Sequence, residues 1–168
     1  MIKLSAIGSY ANAATFPNIK AHADIANYTI VVPNQVEKIT ALPTVAAAQG
    51  KNLAVIMQNF GAYVGDRYFD PLNVAGALIP KDSNALCVGL ESLAARFLDI
   101  DSQHITGDFS DIAPGTYLVA GADGKFAVSG NTAPAGYAMY FLVTDILSPL
   151  AKPLAGSAGA VRAQIIVP

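Results

Sequence analysis

One cysteine, two histidines and a short run of aspartates are the side chains through which this sequence could do chemistry. Nucleophilic catalysis needs a thiolate or an activated hydroxyl beside a base. Cys87 with His22 or His104 meets that need only arithmetically. Cys87 stands in Ala-Leu-Cys-Val, an apolar setting in which a cysteine packs as a small core residue and keeps its proton. No serine lies in a Gly-x-Ser-x-Gly elbow.

Asp99, Asp101, Asp108 and Asp111, with His104 among them, are the candidates for a metal site, since alternating carboxylates suit a hard cation. A Ca2+ loop counted from Asp99 needs Gly at its sixth position and Glu at its twelfth, where the sequence has His104 and Ser110. The cluster therefore reads as a solvated connection between elements, with an ion shared between subunits as the alternative. Asp66, Arg67 and Asp70 form a charged loop that a hydrolase could use, although such loops are usually surface. Residues 121–125 (Gly-Ala-Asp-Gly-Lys) lack the spacing of a phosphate loop. No catalytic residue and no cofactor follows from these patterns.

Composition narrows the classes further. The chain has 168 residues, 53% hydrophobic and only 13% charged, with a formal net charge of −2. A typical domain is roughly 25% charged, and here 30 alanines take up the difference. The 10 basic residues are scattered singly from Lys3 to Arg162, which excludes the clustered charge that a nucleic-acid backbone requires. A mean hydropathy of +0.42 is the reverse of the disordered signature. No apolar run approaches the ~18 residues of a membrane helix. The first eight residues lack an apolar stretch of ~7 or more, so the reading is of a protein used without export. One cysteine permits no internal disulfide, leaving stability to packing or assembly.

The elements that must position these residues are short. Residues 28–32 (Tyr-Thr-Ile-Val-Val), 53–57 (Leu-Ala-Val-Ile-Met) and 74–79 read as strands from their β-branched and apolar runs. Leu90, Leu93, Ala94, Phe97 and Leu98 follow the spacing of a helical stripe and predict a helix there. Residues 116–120 and 125–128 predict two strands about an Asp-Gly turn with positive φ at both central residues. Residues 137–143 predict a strand buried on both faces. In the last strand, 161–167, Val161, Ala163, Ile165 and Val167 share one face and Arg162 and Gln164 the other. Residues 1–27 show little periodicity and read as an extended arm or a weakly structured segment. The expected fold is therefore mainly β, a small barrel or sandwich at residues 28–168, with one short helix and an extended N-terminal arm.

The run Gly-Thr-Tyr-Leu-Val from 115, Asp-Gly-Lys-Phe-Ala-Val from 123, Gly136-Tyr137 and Val-Arg-Ala-Gln-Ile-Ile from 161 resembles the decoration (cement) proteins of tailed-bacteriophage capsids. The resemblance covers the last third to half of the chain. It implies a virion structural protein on the outer capsid surface, assembled in the host cytoplasm as a homo-oligomer, dimer or trimer, on the major capsid protein. It implies capsid anchoring by the arm through Tyr10, Phe16 and Ile19, and an oligomer interface at Tyr137, Tyr140 and Arg162. The helix at Leu90 and the loop at residues 60–71 depart from that pattern. Another virion component, such as a head-fibre base or tail protein, fits the same composition. A glycan- or ligand-binding β-domain, with tyrosines lining a saccharide site, is the alternative from another class.

Overall fold

The computed structural model describes residues 2–5, 14–57, 63–64, 67–68, 78–148 and 158–168. Its first strands are β1 (Ile2–Ser5), β2 (Thr15–Phe16), β3 (Ile25–Ala26), β4 (Ile30–Asn34) and β5 (Ile39–Ala41), followed by a helix, α1 (Val45–Ala48). Next come β6 (Ala54–Ile56), β7 (Tyr63–Val64), β8 (Arg67–Tyr68), β9 (Leu78–Ile79) and β10 (Cys87–Gly89). The remainder is β11 (Phe97–Asp101), β12 (Ile105–Thr106), β13 (Tyr117–Ala120), β14 (Phe126–Gly130), β15 (Tyr140–Leu147) and β16 (Ala160–Ile166). The fold is mainly β, with curled sheets that form a half-barrel.

A seven-stranded sheet runs β1-β11-β16-β15-β13-β14-β12 and a five-stranded sheet β2-β10-β6-β4-β5. The five-stranded sheet is covered on both faces. Ile30, Val55 and Val88 point towards Leu98, Leu118, Phe126, Phe141 and Val161 of the larger sheet and share its core. Their chain neighbours Val31, Ala54, Ile56 and Cys87 point the other way, into a second cluster with Ile19, Ala21, Ile25, Ile79 and Ala85. Alternate residues thus serve alternate cores, which is why residues 53–57 read as an unbroken apolar run. Each large aliphatic or aromatic side chain taken from water contributes roughly 1.5–3 kcal/mol. Phe126 and Phe141, both at 0% exposure, add an edge-to-face contact at 4.8 Å.

The described residues of the N-terminal segment, 2–5 and 14–27, lie on their own chain. β1 pairs antiparallel with β11, and β2 with β10. Between them and β4, Lys20 bridges both Ile39 and Asn84. Ile19 is at 0% exposure, which corrects its expected role as a capsid anchor. Phe16 is half-buried against the second cluster. Tyr10 lies outside the described residues. No periodic signal marks residues 14–27 because they cover a sheet through isolated apolar residues such as Ile19, Ala21 and Ile25.

The helix expected over Leu90 to Leu98 is a second correction. Glu91–Leu93 form a single 3-10 turn, Ala95 adopts φ 62, and a strand begins at Phe97. Leu98, which falls in the helical stripe with its predecessors, equally satisfies with Ile100 the two-residue period of a strand. The edge of β16 decides between them: Ala95 N–H donates to Ile165 O at 2.8 Å and Ile165 N–H to Arg96 O at 2.8 Å. The only α-helix among the described residues is α1, where Thr44 Oγ1 caps Ala47 N–H at 3.1 Å.

The Asp-Gly hairpin is present with different turn chemistry. Gly121 N–H donates to Lys125 O at 2.7 Å, leaving a three-residue loop in which only Gly124 has positive φ, at 78. This is the turn with a left-handed third residue, not the two-residue primed turn. Its tip docks on the other sheet, since Ile30 N–H donates to Gly124 O at 2.7 Å. A Cβ on Gly124 would meet Thr29 and stand 3.0 Å from Ile30 O, so glycine is required there for space as well as for φ.

Candidate functional site

The outward face of the seven-stranded sheet carries Tyr140 and Arg162, two of the residues that the resemblance assigns to an interface, among neighbours that the sequence does not single out. In this sheet Phe141, Val143, Val161, Ala163, Ile165, Leu98 and Ile100 point inward and are buried. Alternation then forces their neighbours outward. One cross-strand row runs Tyr117–Leu142–Gln164–Phe97 through four strands, each residue directly opposite the next. Tyr140 faces Ile166 in the adjoining position, and the Tyr117 and Tyr140 rings meet edge to face at 5.6 Å. All six side chains are half-buried, and none of them packs against either core cluster.

Towards the other end of the face the row turns ionic. Asp145, Arg162 and Asp99 stand opposite one another across β15, β16 and β11, and Lys3 of β1 is in backbone register with Asp99. Arg162 grips Asp99 with both prongs, Nε to Oδ1 at 2.8 Å and Nη2 to Oδ2 at 3.1 Å. That hydrogen bonding, and the nearby negative charges of Asp99 and Asp145, raise the Arg162 pKa. The Asp99 side chain is 6% exposed and that of Arg162 37%, so the pair is sealed beneath and open above. A bulge between Val143 and Asp145 bends β15 at this point.

Tyr140 and Arg162 therefore share one face, four residues apart along β16 in register. Tyr137 sits half-buried in the loop entering β15. The four aspartates are not brought together. Asp99 holds Arg162. Asp101 Oδ1 accepts Gln103 N–H at 3.1 Å, and Asp108 Oδ1 accepts Ser110 N–H at 2.9 Å, so both cap 3-10 turns. The Ser110 hydrogen bonds hold the Asp108 carboxyl below its ordinary range. Asp111 is exposed. Among the described residues no three His, Cys, Asp or Glu side chains group as metal ligands would. Asp66 and Asp70 lie outside the described residues.

Cys87 is a core residue at 0% exposure, its thiol pushed up to about 12 by burial. No family model, curated protein or solved structure matches the chain.

The spacing that groups His104 with the aspartates does not show its actual neighbour, which is Tyr28. His104, at 9% exposure, packs edge to face on Tyr28 at 5.6 Å, and its Nε2 makes no hydrogen bond. Burial pushes its pKa down to about 4. Tyr28 reaches it from a backbone at φ 68, an uncommon conformation for a bulky residue. The signal lay in its position: a lone histidine between two strands, where the two sheets meet.

Proposed function

We propose that this protein is a structural subunit that acts by having a sheet face covered, in the manner of a decoration protein on the outer surface of a phage capsid. The outward row of Tyr117, Leu142, Phe97, Tyr140 and Ile166 carries this reading. Tyrosines and aliphatic groups on a rigid sheet give contact area at little entropic cost, and the tyrosine tips keep a polar handle. The Asp99–Arg162 ion pair at the margin is already satisfied within the chain, so covering that pair strands neither of its own charges. The first occupant of the face is a second copy of the chain, and the resulting dimer or trimer presents several weak sites to neighbouring coat subunits. Linkage of such contacts multiplies a single-site affinity by ~10²–10⁴. The capsid as partner rests on the resemblance of the last third of the sequence.

Sedimentation velocity of the purified protein and of a Tyr140→Lys/Leu142→Lys variant tests the face. The wild type should sediment as a dimer or trimer and the variant as a folded monomer. A wild-type monomer at all concentrations would exclude the interface. Particles isolated from the cells that express the chain should carry it stoichiometrically, with density on the outside of the shell.

A further inference from the structure

A cavity of about 440 Å³ opens at the end of the five-stranded sheet, where β2, β10 and the approach to β6 converge. Its size lies in the range of small-molecule sites, about 300–1,000 Å³. The floor is apolar: the half-buried Phe16 ring is the accessible part, and the buried Leu53 backs it. The walls are fixed by the fold. Gly89 N–H donates to Ala14 O at 2.8 Å and Leu90 N–H to Leu53 O at 2.9 Å. Ser92 Oγ donates to Gly89 O at 2.6 Å and accepts Ala14 N–H at 2.9 Å. A site so held needs little ordering when a ligand arrives.

The rim is polar and balanced. Lys51 Nζ and Glu91 Oε1 stand 3.9 Å apart, at the outer limit of an ion pair, with side chains 43% and 56% exposed. Asn52 lies beside them on the cavity wall. An anion would be drawn to Lys51 and repelled by Glu91, and a cation the reverse, so neither charge class gains. A wholly apolar ligand would take water from both charges without replacing it. A neutral ligand with one C–H face and one hydroxyl edge meets every requirement. For such a ligand the C–H face would lie on the half-buried Phe16 ring, with the hydroxyls within reach of the Glu91, Asn52 and Lys51 side chains on the rim.

We propose that this cavity binds a neutral pyranose unit of a glycan. The inference does not rest on the capsid reading, since it concerns a different part of the molecule and a different ligand. The test is a two-dimensional 15N–1H NMR titration of the full chain with three methyl glycosides: glucoside, galactoside and N-acetylglucosaminide. At least one should bind with Kd of about 1 mM or tighter, with shifts confined to the backbone around Phe16, Asn52, Gly89 and Glu91. Glu91→Gln, at an exposed position that leaves the fold intact, should weaken that glycoside about tenfold, as loss of a charged hydrogen-bond acceptor does. Methyl phosphate and tetramethylammonium should cause no shifts there. Silence with all three glycosides, equal binding by Glu91→Gln, or preference for either ion would overturn the assignment.

Discussion

At the scale of single residues, burial settles which polar groups are chemical and which are architectural. The aspartates around His104 are legible in the sequence as a cluster, but spacing alone does not say that each is engaged separately. Asp99 is committed to Arg162, and Asp101 and Asp108 to the amides of their own turns. Short Asp-x-x segments make such caps in any fold, so a local turn explanation competes with a metal explanation at every acidic cluster. His104 is the reverse case. In the unfolded chain it takes a proton near pH 6.5, whereas the folded site resists protonation until about 4. The unfolded state therefore binds more protons between those values, and stability falls as pH drops through that window. The full difference is on the order of 3 kcal/mol. Urea unfolding at pH 7 and pH 4.5 should show the wild type losing stability that His104→Leu retains. Parallel losses in the two proteins would mean that His104 is not the group responsible.

At the scale of elements, the strands with intact alternation were legible, and those under two influences were not. The closing strand shows its inward Val161, Ala163 and Ile165 and its outward Arg162 and Gln164 in sequence as in structure. Residues 116–120, 125–128 and 137–143 each contain an observed strand or overlap one. The segment at Leu90 was misread because its apolar spacing satisfies both helical and strand periods, and hydrogen bonding to β16 breaks the tie. The N-terminal segment was unreadable for a different reason. Its residues have no period of their own, because the sheet they cover supplies the geometry. Ile19, Ala21 and Ile25 supply much of the second cluster, so deleting residues 1–27 exposes Val31, Ile56 and Cys87 to water. The truncated chain should bind the dye ANS and lose its cooperative thermal transition. Ile19→Asp should do the same with a single buried carboxylate, at a cost of several kcal/mol. A truncated chain that melts cooperatively at the wild-type temperature would restore the reading of that segment as a detachable arm.

At the scale of the whole molecule, the low charge and the outward aromatic row bear on the same question. A chain at 13% charge has few ions with which to keep two copies apart or draw them together. Any association through the seven-stranded sheet is then governed by apolar burial. Among the described residues its ion pair, Asp99 with Arg162, is intramolecular and bidentate, hence already formed before contact. Salt separates the two contributions. Raising NaCl shortens the Debye length from about 10 Å at 0.1 M to about 3 Å at 1 M and weakens exposed ion pairs. Apolar burial carries no charge to screen and so keeps its strength. An interface made through Tyr117, Tyr140, Leu142 and Ile166 should hold its dissociation constant within about threefold over that range. Sedimentation equilibrium at the two salt concentrations measures this directly. A tenfold or greater weakening at 1 M would place the contact on the charged residues of the surface instead, and would move the interface away from the face that Tyr140 and Arg162 share.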